Sequence, residues 1–215
     1  MDPKVPKDAP HHLLVEGQDD LHSVIHLLRH HGVDWDTPDP QAPYIEDCKS
    51  IDRLLDAIEA GVRTYERLGI LMDTDFPPTA RWSQVQERLT RAGLTVPETL
   101  DRNGVIVAGL RPSWKVGVWL MPDNSEPGYL EHFLSLLIPE GDLCWPYAAE
   151  VTAEAKKRGA PFRDVAKMKA RIHSWLAWRE EPGLPFGTAL TAKYLKADSP
   201  VARPFVSWFK RLFYE

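Results

Sequence analysis

The chain has 215 residues, 43% hydrophobic and 27% charged, with a formal net charge of −5 at pH 7. That length supports one sizeable core and a small appended unit, and eight Trp with seven Phe argue for a filled interior rather than disorder. The acidic balance excludes a nonspecific nucleic-acid coat but not a nucleic-acid enzyme with a local basic face. No apolar run approaches the ~18 residues of a membrane span. MDPKVPKDAP has no apolar stretch of the secretory kind, and Cys48 and Cys144 make neither a disulfide framework nor a zinc spacing. A cytoplasmic protein without membrane association is the expectation.

In chain order, HLLVEG predicts a short buried strand, and residues 19 to 31 a helix with Leu21, Val24, Ile25 and Leu28 on one face, closed at Gly32. Val33 to Pro43 is rich in Pro and Asp and predicts a loop. IDRLLDAIEAG gives a second helix, LGILMD a second strand, and residues 80 to 92 a third helix. GVIVAGL and KVGVWLM are two further strands around RPSW, and residues 128 to 138 a fourth helix. Alternating strands and helices imply an α/β fold, Rossmann-like, with a mostly parallel central sheet. Beyond Pro139 the pattern is helical: 147 to 158, 163 to 179 and 203 to 213, interrupted by PGLPFG. The last helix carries Phe205, Trp208, Phe209, Leu212 and Phe213 on one face, so it needs a partner surface. The organisation expected is a domain over 10–138 and a helical extension over 139–215 packed on the same core.

The apolar runs stop at acidic residues. LLV ends at Glu16, LGILM ends at Asp73 with Asp75 two residues on, and VGVWLM is followed by Pro122 and Asp123. In a parallel sheet these ends share the edge where open α/β folds bind ligands. Gathered carboxylates repel unless a cation or shared protons compensate, and Mg²⁺ takes oxygen ligands of this kind. Acidic residues after strands also cap helices, and Asp19 and Asp20 suit that role.

Residues 151 to 175 hold seven basic residues against two acidic ones. Lys167, Lys169 and Arg171 could hold phosphate there, or form a solvated face. His173, near Trp175 and Trp178, suits either a substrate contact or a hydrogen-bonded place in an aromatic cluster. Lys169 and His173 lie four apart and share a helix face, which makes them the expected substrate-facing pair. His22, His26 and His30 repeat every four residues, as a metal face or as the polar border of the first helix.

VEGQDD (Val15 to Asp20) followed by ILMDTD (Ile70 to Asp75) resembles the TOPRIM pattern, a Glu-Gly after the first strand and an Asp-x-Asp after a later one. The resemblance covers about residues 10 to 138. The segments WLMPDNSEPGYLEHF and HSWLAWREEPGLPFG are also similar to a bacterial TOPRIM-like group of unknown function. What the resemblance implies is a metal-dependent phosphodiesterase acting on DNA or RNA, of the kind found in OLD-family nucleases and in a bacterial defence or toxin setting. Glu16 would then be a metal ligand or general acid/base, Asp73 and Asp75 the metal pair, and Asp20 the acidic position four residues after the glutamate. From position rather than resemblance, Asp123 after the fourth strand and Glu131 in the following helix are candidate added ligands for Mg²⁺ or Mn²⁺, PDN being equally a turn and helix-start signal. From charge and spacing Lys169 is the candidate catalytic cation, with Lys167, Arg171 and His173 as substrate contacts. No GxxxxGK[ST] phosphate loop is present, so any ATPase or other protein partner of the OLD kind would be a separate chain. Two readings compete. ILMDTDF also fits the Asp-x-Asp of haloacid-dehalogenase-like phosphatases, although there the motif sits on the first strand. A TOPRIM module without catalysis, acting through binding, is the third.

Overall fold

The computed structural model describes residues 4–37, 39–74 and 77–215, apart from the Pro78 side chain. The apolar runs form strands β1 (His11–Val15), β3 (Arg67–Asp73) and β5 (Lys115–Met121), joined by the shorter β2 (Tyr44–Asp47) and β4 (Val105–Ala108). The strand order is β2-β1-β3-β5-β4. Neighbours are parallel except β4, which runs antiparallel to β5. The three central strands are buried on both faces, so their sequences read as near-continuous apolar runs.

Period-two alternation along these strands divides the core into two layers. Leu14, Ile70, Met72, Val118 and Leu120 face the helices α2 (Ile51–Thr64) and α3 (Pro78–Arg91). Leu13, Val15, Leu71, Trp119 and Met121 face the opposite layer. That layer is built from α1 (Gln18–His30), α4 (Leu130–Ser135), α5 (Cys144–Lys157), α6 (Lys167–Leu176), α7 (Phe186–Thr191) and α8 (Arg203–Phe213). The sheet is a mostly parallel, Rossmann-like α/β sheet, as the strand and helix pattern predicts.

The aromatic stripe of α8 lies on the sheet, with Phe205, Trp208, Phe209, Leu212 and Phe213 all buried. Two glycines paired across β3 and β5, Gly69 and Gly117, make room for it. A Cβ at Gly69 would sit 3.0 Å from the Phe213 ring, and one at Gly117 would sit 2.6 Å from Leu212. The indole N–H of Trp208 donates to the Val105 carbonyl at 3.2 Å, so the polar atom this docking buries is satisfied.

Two elements lie where the sequence pattern assigns neither strand nor helix. β2 pairs with β1 as a four-residue edge strand, and α7 begins inside PGLPFG, directly after Pro185. Gly187 of α7 packs against α1, where a Cβ would meet His26 at 2.6 Å. Among the described residues no helix is long and apolar enough to cross a membrane.

Candidate functional site

The strand register fixes where the acidic residues fall. In β1, β3 and β5, which run parallel, the carboxyl ends share one edge, and Asp73 pairs with Met121 across it. Glu16 follows β1, and its Oε1 accepts the backbone N–H of Asp73 at 2.8 Å, which joins the two strand ends. Asp73 Oδ1 in turn accepts the N–H of Leu130, the first residue of α4, at 3.0 Å. An anion at a helix N-terminus is favoured there by the unpaired N–H groups and the helix dipole. Buried Thr74 holds that helix start in place: its hydroxyl accepts from the Gly128 N–H at 2.6 Å and donates to the Gly128 carbonyl at 2.9 Å.

Asp20 enters the same space from the first turn of α1. Its Oδ2 accepts the N–H of Gly17 at 3.1 Å, so it also serves the helix cap that its position suggests. Glu131, on the first turn of α4, is 5% exposed and meets the Lys169 ammonium at 2.9 Å. Lys169 also stands 3.9 Å from Asp19. Glu16, Asp19, Asp20, Asp73 and Glu131 line one open cavity of about 350 Å³ together with Lys49 and Lys169. Lys49 is already paired to Asp47.

Five carboxyl groups against two ammonium groups crowd this cavity with like charge, and the cost falls on the most enclosed of them. Burial, then the charges of Glu16 and Glu131, push Asp20 up to about 7 from its ordinary 3.8. Burial, followed by repulsion from Asp20, Glu16 and Glu131, holds Asp73 well above the usual carboxylate range. For Lys169 burial works the other way, but the hydrogen bond and charge of Glu131, with Asp19 and Asp20, keep it above its usual value. The neighbouring thiol of Cys48 is pushed up to about 12, by burial first and then by Glu46 and Asp47. It stays protonated at neutral pH and supplies no nucleophile.

The edge therefore brings Glu16, Asp20, Asp73 and Lys169 together. Asp75 lies outside the described residues. Asp123 follows β5 but turns back on its own loop: Oδ1 accepts from the Ser125 N–H at 3.0 Å, the Ser125 hydroxyl at 3.0 Å and the Glu126 N–H at 2.8 Å. Lys167 and Arg171 line a second cavity, described below. His173 lies against Phe186, with ring centroids 5.0 Å apart. On α1, His26 bonds the Thr191 hydroxyl at 2.7 Å and so anchors α7. Among the described residues no group of three or more His, Cys, Asp or Glu side chains is arranged to hold a metal ion. Glu131 carries a weaker sequence signal than Glu16 or Asp73, because it follows a loop rather than an apolar strand.

A family model described as "Protein of unknown function (DUF3226)" matches residues 10–214. No curated protein and no solved structure matches the chain.

Proposed function

The chain belongs to the DUF3226 family, and from its own acidic cavity we propose that it is a divalent-metal-dependent phosphodiesterase acting on nucleic acid, with a TOPRIM-like site. The observation that carries this reading is the crowding of buried Asp20 and half-buried Asp73 against Glu16 and Glu131 at the carboxyl edge of the sheet, with both proton affinities raised by desolvation first and by the neighbouring carboxylates second. Such repulsion is relieved by a proton or by a cation, and carboxyls crowded in an open cavity at the ligand-binding edge of a sheet favour the cation as the working partner.

The donor set consists of oxygens, which suits Mg²⁺ or Mn²⁺ rather than a soft metal. Mg²⁺ commonly uses one or two protein carboxylates and completes its shell with water and phosphate oxygens. Glu16 and Asp73 fit as that pair, one oxygen of each being held by a backbone N–H. They need no closed cage of three protein ligands. By its resemblance to the TOPRIM motif, Asp75 would be the further ligand. When bound, the cation neutralises charge on a scissile phosphate and lowers the pKa of an attacking water.

The chain's own groups supply the rest. Leu130 N–H orients Asp73, and the Glu16–Asp73 contact fixes the spacing of the two strand ends. Glu131 positions Lys169, whose ammonium offers a hydrogen-bonding cation to a phosphate oxygen at the rim of the cavity. Asp20, titrating near neutrality, is suited to exchanging a proton with a water or leaving oxygen. An ATPase partner on a separate chain and a cytoplasmic setting belong to the same reading.

The test is incubation of the pure protein with plasmid, single-stranded DNA and transfer RNA, each with Mg²⁺ or Mn²⁺, beside Asp73→Ala. Metal-dependent cleavage that falls by about a hundredfold or more in the variant is expected, the scale of losing a group that stabilises transition-state charge. No cleavage of any of the three, or a phospho-aspartate trapped at Asp73, overturns the reading in favour of binding or phosphatase chemistry.

A further inference from the structure

On the other side of the ridge where α4 meets α6 lies a second cavity of about 400 Å³. Its wall carries Tyr129, His132, Thr152, Lys167, Met168 and Arg171. The same two helices thus turn one set of side chains toward the acidic cavity (Leu130, Glu131, Lys169) and another toward this one. The two sets differ in charge. Here Lys167 and Arg171 are opposed only by Asp164, which is highly exposed and pairs outward with Lys156 at 3.6 Å. Among the described residues neither Lys167 nor Arg171 has a carboxylate partner.

The wall is also fixed in place. The Arg171 guanidinium stacks 3.5 Å over the Trp145 ring and donates through Nη2 to the Trp145 carbonyl at 3.0 Å. Tyr129 and His132 meet edge to face with ring centroids 4.3 Å apart, and the Tyr129 hydroxyl donates to the Val165 carbonyl. Burial lowers the pKa of His132, so its ring is neutral at neutral pH and presents a π surface rather than a charge.

We propose that this cavity is the seat of a nucleotide flanking the scissile phosphate of a single-stranded nucleic acid, the base lying against Tyr129, His132 and Met168 and its phosphate meeting Lys167 and Arg171. The inference rests on the phosphodiesterase reading for the identity of the strand. Its chemistry is that of single-strand recognition in general, in which bases stack on aromatic and guanidinium planes and cations track the backbone. The arrangement also answers an electrostatic difficulty. A cavity lined by five carboxyl groups repels a polyanion, and one helix face away the held Arg171 guanidinium and the exposed Lys167 ammonium keep the strand close enough for its phosphate to reach the acidic edge.

The experiment is fluorescence anisotropy of labelled oligothymidylate and oligouridylate with the full chain, at low and high salt and with Ca²⁺ in place of Mg²⁺. Two variants act on the cavity alone: Lys167→Glu reverses an exposed charge, and Ala149→Trp fills the space from α5. Each is expected to weaken oligonucleotide binding by roughly tenfold or more, as when a stacked base is displaced. Lys167→Glu is also expected to lower the salt dependence of what remains. Both keep the Mg²⁺-induced thermal shift, which reads the acidic cavity and shows that the variants fold. The preferred sugar tells which of the two polymers is held. Unchanged affinity in both variants overturns the proposal, and so does a wild-type chain that binds neither oligonucleotide. Hydrolysis of the small diester bis-p-nitrophenyl phosphate is followed separately. A chain that binds the strand through this cavity but hydrolyses no diester keeps the seat and loses the phosphodiesterase.

Discussion

At the amino end of β1, His11 and His12 are buried beside groups that suit them; at the carboxyl ends of β1 and β3, Glu16, Asp20 and Asp73 crowd against one another. His12 is fully buried, with Nε2 bonded to the Lys7 carbonyl at 3.1 Å and its ring stacked on Tyr65 at 3.6 Å. His11 bonds the Gln41 carbonyl through Nδ1 at 3.1 Å. Burial lowers both imidazole pKa values, so each sits neutral and packed at pH 7. At the other end burial raises the carboxyl pKa values instead, and the groups that raise them further are one another. One end of the strand is settled by its own packing except at His12 Nδ1, which is buried without a hydrogen bond and stands 3.7 Å from the Glu46 carboxylate. The other carries a repulsion that only a proton or a bound cation relieves, which is the mark of a working site rather than a stabilising one.

The sharpest way to break this contrast is to damage the settled end. His12→Ala removes a buried ring and its stacking on Tyr65, and is expected to cost about 3 kcal/mol of stability, in the range of other buried rings truncated to Ala. Because the loss is remote from the acidic cavity, the added thermal shift from Mg²⁺ should be the same in variant and wild type. Chemical denaturation with and without Mg²⁺ reads both quantities. A variant that loses the metal response along with its stability would show that the two ends are not separate.

A second effect separates the ends by pH. For the histidines the folded pKa lies below the unfolded 6.5, so the unfolded chain binds the extra proton. Their contribution is complete above pH 6.5 and is lost as pH falls through that value. For Asp20 the folded value is about 7 against 3.8, and Asp73 shifts in the same direction. Here the folded chain binds the extra proton, so stability declines as pH rises from about 4 to about 7. Mg²⁺ binding relieves the second loss and leaves the first. The gap between Mg²⁺-saturated and metal-free melting temperatures should therefore widen from pH 5 to pH 8. Asp73→Asn should raise metal-free stability at pH 8 by about 1 kcal/mol, a common gain when a strained site is neutralised, while shrinking the Mg²⁺ response. A gap that is flat with pH contradicts the repulsion on which the site is read.

The sequence made part of this visible and hid part for physical reasons. β1, β3 and β5 are buried on both faces, so their apolar runs and the acids that end them stand out, and Glu16 and Asp73 meet as that pattern suggests. In β2 only Ile45 of four residues is buried, and an edge strand of that length has too little alternation to register. α7 is six residues long and starts after a proline inside a glycine-containing break, a pattern that reads as loop. The helical spacing of Lys169 and His173 predicts a shared face, yet Lys169 turns to Glu131 and His173 to Phe186. Which neighbour each receives depends on where α4 and α7 dock, a long-range matter that periodicity does not carry. The cavity built on Tyr129, His132 and Arg171 depends on the same docking.

Asp123 gives the mildest test, because its sequence signal is nearly that of Asp73 while its surroundings are not. Both follow an apolar parallel strand, and both were open to a metal-ligand reading. Asp73 sends its carboxyl to the start of α4 and into the acidic cavity. Asp123 spends Oδ1 on three donors within its own turn, the arrangement of an Asx turn, which asks for an oxygen and not for a charge. An asparagine offers the same oxygen. Asp123→Asn is therefore expected to change stability by no more than about 0.5 kcal/mol and to leave the Mg²⁺ response as in wild type, whereas Asp73→Asn shrinks it. Isothermal titration with Mn²⁺ on the two variants side by side makes the comparison directly. If Asp123→Asn weakens Mn²⁺ binding as much as Asp73→Asn does, the cation draws on the third strand end as well, and the Asx turn opens when the metal binds.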